Sequence, residues 1–124
     1  PVRIALEWFD QKGVSTFLGR VGGDYGAAVR LPTGKRDGAG SALTVLDDYI
    51  MGTDPSNAED SLKAVIDVDS EGRFQVGWSP NLNTNGEMRM YKVWGKSRID
   101  DADEEWTCPT NATHRFFKVS VEML

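Results

Sequence analysis

Chemistry has few places to reside in this sequence. Its single cysteine, Cys108, precedes its single histidine, His114, by six residues. A thiol beside an imidazole is the elementary unit of a nucleophile and its base. Such a pair also needs a third group to orient the ring, and no residue here is marked for that task. The sequence contains no GxSxG, HExxH, P-loop or GxGxxG spacing. We therefore read the chain as non-enzymatic, with no catalytic residue. A small hydrolase built on Cys108 and His114 is the enzymatic alternative.

Oxygen ligands and aromatic rings are the other candidates. The run Asp100-Asp101-Ala102-Asp103-Glu104-Glu105 could hold a cation, but like charges in a loop ordinarily stay solvated. Of the four tryptophans, Trp8 and Trp78 fall in phase with apolar neighbours and belong to a core. Trp94 shares a strand face with Met90 and Lys92, and Trp106 ends the acidic stretch. Exposed rings stack on sugars, so Trp94 and Trp106 are the candidate ligand-binding residues. For Trp106 a plug that pins the long connection onto a sheet is the preferred reading. No metal ligand set and no cofactor site is assigned.

These residues must be carried by recognisable elements. Ile4, Ala5, Leu6, Trp8 and Phe9 crowd one side of a helix running to about Gln11, with Gly13 as its terminator. Residues 12–40 carry little pattern. Asp24 can cap a short helix through Val29, and Pro32-Thr33-Gly34 reads as a turn. The clearest helix spans Ser41 to Met51, with Ser41 as N-cap. Leu43, Leu46, Tyr49 and Ile50 form its apolar stripe, and Asp47 and Asp48 face water. Gly52 suits the C-terminal cap, and Pro55 prevents continuation.

Beyond Pro55 the hydrophobic period becomes two. Leu62, Ala64, Ile66 and Val68 alternate inward, Asp69-Ser70-Glu71-Gly72 turns the chain, and Phe74, Val76 and Trp78 return. Ser79 to Gly86, which includes Asn81 to Asn85, is a loop. Met88 to Gly95 is a third strand, and Ser97 to Thr113 is a long acidic connection. His114 to Met123 is a fourth strand with Phe117, Val119, Val121 and Met123 on one face. The expected fold is α+β, with N-terminal short helices packed on a four-stranded antiparallel meander. Residues 1–124 form one domain, with a helical part over 1–57 and the meander over 58–124.

The segment Tyr49-Ile50-Met51-Gly52-Thr53-Asp54-Pro55-Ser56-Asn57 resembles the EY..GTDP segment that precedes a β-rich C-terminal module in many large secreted bacterial proteins. Val76-Gly77-Trp78-Ser79-Pro80 and Tyr91-Lys92-Val93-Trp94-Gly95-Lys96 continue the likeness in order. So do Trp106 and Arg115-Phe116-Phe117-Lys118-Val119. It covers roughly residues 41–124. The resemblance implies an extracellular or cell-surface setting and a terminal position in a longer chain. In the dockerin and thrombospondin-type repeats that share the GTDP helix, an Asp-rich calcium loop comes before it. Aligned on Tyr49, that loop runs from Asp37 to Asp48, but Ala39, Ser41 and Ala42 stand where further ligands and a glycine belong. We read it as a degenerate loop without metal. Asp54, before Pro55, is read as closing a turn through its side chain.

Bulk properties narrow the partners. The chain has 124 residues and a net charge of −5, and its hydrophobic fraction of 40% can build a core. Phosphate binding requires clustered Lys and Arg, whereas the tightest group here is the pair Lys35-Arg36, so nucleic acid is excluded. No apolar stretch is long enough for membrane insertion. The chain opens at Pro1 without an initiator methionine or a signal peptide, which we read as an excised or processed piece. Asn111-Ala112-Thr113 fits a glycosylation sequon of a kind frequent by chance, and carries no weight. The expected function is a non-catalytic structural or attachment and sorting module at the C-terminus of a larger secreted or cell-surface protein. The alternative is a carbohydrate-binding module. The expected partners are the parent polypeptide and a cell-surface component or glycan.

Overall fold

Helices occupy the first half of the chain and strands dominate the second, so the class is mixed α+β. The computed structural model describes residues 4–38, 40–82, 89–98, 100, 102, 106–111 and 113–123. Two compact units divide it, Pro1–Ser61 and Leu62–Leu124.

The first unit begins with a 3-10 helix, Leu6–Asp10, followed by α1, Lys12–Arg20. The single helix expected to end at Gly13 is therefore two elements, with Gly13 inside the first turn of α1. Space is tight there. A Cβ would collide with the Asp54 carboxylate and the Ser56 hydroxyl. Phe9, Val14 and Ala28 are buried, with Ile4, Trp8, Leu18, Val21 and Val29 packed around them. Trp8 meets Phe9 and Tyr49 edge-on at centroid distances of 5.3 and 5.0 Å, a favoured arrangement of aromatic rings. The short helix α2, Tyr25–Ala28, is capped as expected, with Asp24 Oδ1 accepting from the Ala27 amide at 3.1 Å.

Pro32-Thr33-Gly34 is not a turn. It opens β1, Pro32–Arg36, which pairs antiparallel with β2, Ala42–Thr44. Proline is tolerated as the first residue of a strand because the ladder there needs no N–H from it. Ser41 is not the helix cap either. Its amide donates to Asp37 Oδ1 at 2.9 Å and its carbonyl accepts from the Asp37 amide, closing the β1–β2 turn. The cap of α3, Val45–Met51, is Thr44. Thr44 Oγ1 accepts from the Asp47 amide, and Asp47 Oδ2 accepts from the Thr44 amide at 2.7 Å. This reciprocal box satisfies donors that helical hydrogen bonding leaves over. Carbonyls of Leu31 and Val29 take the amides of Val45 and Leu46, each at 3.0 Å. Gly52, at φ 78°, ends the helix in the left-handed region.

In the second unit β3, Lys63–Val68, pairs with β4, Phe74–Ser79, through the expected turn. Asp69 Oδ1 accepts from the amides of Glu71 and Arg73, each at 2.9 Å. The strand β5, Arg89–Lys96, pairs with β6, Phe116–Met123. Met88, the expected start of the third strand, lies outside the described residues, as do Asn83 to Asn85 of the loop before it. A continuous four-stranded meander would need a β4–β5 ladder, and among the described residues there is none. One edge of β5 belongs to β6. The other is taken at Gly95 by Thr107, with amide-to-carbonyl bonds of 3.0 Å in both directions. β4 and β5 meet through side chains instead: Trp78 stacks on Tyr91 at 4.9 Å, and the Leu82 amide donates to the Tyr91 hydroxyl.

The inward face read for β6 is correct, since Phe117, Val119, Val121 and Met123 are half-buried and their neighbours exposed. The reading of β3 needs correction. Ile66 is 54% and Val68 69% exposed, because a two-stranded ladder with no described layer over its turn end leaves that face to solvent. Truncating the half-buried Phe117 to alanine is expected to cost about 2 kcal/mol, roughly half the penalty of a full core phenylalanine. Phe116→Ala is expected to cost less than about 1 kcal/mol. Urea unfolding of the two variants checks the order, and equal costs would mean the β6 face is misassigned.

Candidate functional site

Alternation along β1 turns Thr33 and Lys35 inward and leaves Pro32, Gly34 and Arg36 exposed. Helical spacing on α3 puts Val45, Asp48 and Tyr49 on one buried stripe. These two periodicities bring a lysine and an aspartate together in the interior. Asp48, expected on the wet face, is 0% exposed, and Lys35 is 8% exposed. Lys35 Nζ donates to Asp48 Oδ1 at 2.5 Å, to the Asp60 carbonyl at 2.6 Å and to the Asp54 carbonyl at 3.1 Å. An ammonium has three N–H donors, and each has an acceptor here.

The GTDP segment completes the enclosure. Gly52 turns the chain, and the buried Thr53 hydroxyl donates to Asp48 Oδ1 at 2.6 Å. Asp54 supplies its carbonyl to Lys35, while its side chain accepts from the Ser56 amide and hydroxyl at 2.8 and 2.7 Å, the turn-closing role read for it. Pro55 is fully buried. Asp60 Oδ2 accepts from the Asp54 amide at 2.8 Å, which fixes the Asp60 end of the segment. Lys35, Thr53 and Asp60 are the members that sequence reasoning missed. Among the described residues Asp37 is engaged elsewhere. It holds the β1–β2 turn, so the alignment of Asp37 and Asp48 as two ends of one calcium loop separates into two unrelated tasks. Ala39 of that loop lies outside the described residues. Among the described residues no group of three or more His, Cys, Asp or Glu is placed to hold a metal.

His114 is buried under Gly95, where a Cβ would strike the imidazole. Its Nδ1 accepts from the Asn111 amide at 3.1 Å, so in the neutral ring the proton lies on Nε2, which faces Thr107 Oγ1 at 3.2 Å. The exposed Cys108 thiol has no hydrogen bond to this ring among the described residues. The imidazole packs the returning connection against β5.

Trp94 and Trp106 are related through Lys118. In the β5–β6 ladder Trp94 lies opposite Lys118, and the Lys118 ammonium sits 4.7 Å from the Trp106 ring centroid. The Lys96 ammonium lies 4.6 Å from the same ring. Two cation–π contacts hold Trp106, itself half-buried, against the even-numbered face of the hairpin. The Trp94 indole donates to Ser120 Oγ at 2.9 Å. Of the acidic run, Asp101, Asp103, Glu104 and Glu105 lie outside the described residues, as does Ala112 of the sequon. A groove in the second unit is lined by Arg73, Gln75, Val76, Val93, Thr110 and Phe117, among others, and by neither tryptophan.

Comparison with protein-family models, with curated proteins and with solved structures finds no match for this chain.

Removing one partner of a buried ion pair leaves an uncompensated charge. Lys35→Met is therefore expected to cost about 3–5 kcal/mol. Adding Asp48→Leu to that variant is expected to recover only part of the loss: it removes the uncompensated charge, but the Asp54 and Asp60 carbonyls and the Thr53 hydroxyl stay without their partners. Urea unfolding of wild type, both single variants and the double variant measures the coupling. A single-variant cost below about 1 kcal/mol would show that the pair does not organise the segment.

Proposed function

We propose that the chain is a non-catalytic accessory module, a structural or attachment and sorting element of a larger secreted or cell-surface protein. The observation that supports this reading is the employment of its chemical residues in holding chain to chain. The Asp48 carboxylate and Lys35 ammonium are turned on each other, on the Thr53 hydroxyl and on the Asp54 carbonyl. Both ring nitrogens of His114 face the connection from Thr107 to Asn111. Trp106 is fastened by two lysines. The ordered likeness of residues 41–124 to terminal β-rich modules supports the extracellular setting and the parent polypeptide as partner. Of the described residues, no helix is long and apolar enough to cross a membrane.

The placement of Trp94 and Trp106 on one hairpin face favours a second reading, a carbohydrate-binding module that engages a cell-surface glycan. Aromatic rings beside ammonium groups would suit a sugar bearing carboxylate or sulfate.

The two readings separate by experiment. For the attachment module, deleting the chain from its parent is expected to abolish surface display while leaving the rest of the parent folded. Normal display of the truncated parent would contradict it. For the glycan module, Trp106→Ala is expected to lower polysaccharide retention at least tenfold with little change in thermal midpoint. A large loss of stability with no retention to lose would leave Trp106 as a plug.

A further inference from the structure

The enclosure around Lys35 has the composition of a cation site. Asp48 Oδ1 and the carbonyls of Asp54 and Asp60 converge on one point, and Lys35 Nζ occupies it. The second Asp48 oxygen, Oδ2, is buried with no hydrogen-bond partner among the described residues. The carboxylate therefore has more acceptor capacity than its neighbours use. Hard oxygen donors of this kind, one carboxylate with backbone carbonyls, are what oxygen-seeking cations select. The enclosure nevertheless suits an ammonium better than calcium. It carries one negative charge, where the ligand carboxylates of calcium loops are several. It also offers fewer than the six to eight oxygens that calcium takes. Three directed acceptors match three N–H bonds, whereas a spherical ion gains nothing from that directionality.

The geometry points to an intramolecular ammonium site: the GTDP segment of this chain folds around a tethered cation, the Lys35 side chain, whose three N–H bonds take the acceptors that Asp48, Asp54 and Asp60 supply. The ligand class of the vacated site is a primary alkylammonium. Lys35→Ala removes three methylene groups and the ammonium, which together have the size of propylammonium. This inference is independent of the accessory-module reading, because it concerns what holds the first unit rather than what the chain attaches to.

The test is the thermal midpoint of the full chain with added cations. Wild type is expected to be indifferent to millimolar calcium and to a chelator. Lys35→Ala is expected to have a lower midpoint that propylammonium raises with the logarithm of its concentration, as a ligand of the folded state must. Tetramethylammonium, which carries charge but no N–H, is expected to give no such rise. Stabilisation of wild type by calcium, or equal responses of the variant to the two organic cations, would overturn the proposal. If the variant is unfolded without amine, the wild type still decides. Its Lys35 ammonium should give a nitrogen-detected resonance with slowly exchanging protons, and the absence of any protected lysine ammonium would refute the site.

Discussion

A lysine placed away from water must find an acceptor for each of its three N–H bonds, and the layout of the first unit follows from how Lys35 finds them. One acceptor comes from α3, through Asp48. The others come from the backbone at Asp54 and Asp60, on the segment that leaves α3. A strand residue, a helix residue and two loop carbonyls distant in sequence are thereby committed to one point. The rest of the local design serves that commitment. Thr44 and Asp47 fix where α3 starts, Gly52 fixes where it stops, and Thr53 supplies Asp48 with a further donor. Gly13 leaves room for the Asp54 and Ser56 turn to approach α1.

The second unit applies a related device with different chemistry. Its long connection returns to β5 through a backbone bridge between Gly95 and Thr107, and the buried imidazole of His114 sits beneath that bridge. Trp106, next to the bridge, lies against two ammonium groups of the hairpin. In both units, then, residues with chemical potential act as fasteners of irregular chain. Polar groups suit this task because loops carry backbone donors and acceptors that apolar packing cannot satisfy.

Much of this was legible in the sequence where local rules dominate. Asp24 as a cap, Gly52 as a terminator, the Asp69 to Gly72 turn and the inward residues of β6 depend on neighbours only a few positions away, and the structure keeps them. The failures share a different cause. Ser41 lost its role as cap to Thr44 because a strand, β2, intervenes, and β2 exists only by pairing with the distant β1. Asp48 looked solvated because charge is ordinarily exposed, and its burial is possible only with Lys35, thirteen residues away. One local signal was available. Val45, Asp48 and Tyr49 stand at helical spacing on one stripe, and Lys35 alternates inward with Thr33 along β1. Ile66 and Val68 failed in the opposite sense, since alternation names a face but does not supply the layer that would cover it.

The central claim is that the Lys35–Asp48 pair locks the GTDP segment into the cooperative core of the first unit. Native-state amide hydrogen exchange tests it most directly. The amides of Gly52, Thr53 and Asp54, which donate to the Asp48 carbonyl, the Asp48 carbonyl and the Asp60 carboxylate, are the reporters. The account predicts that they exchange only with the opening that also releases Val45 and Leu46, at one common free energy. Early exchange of the three GTDP amides, while those of α3 remain protected, would mean that the segment opens on its own and that the buried pair does not hold it.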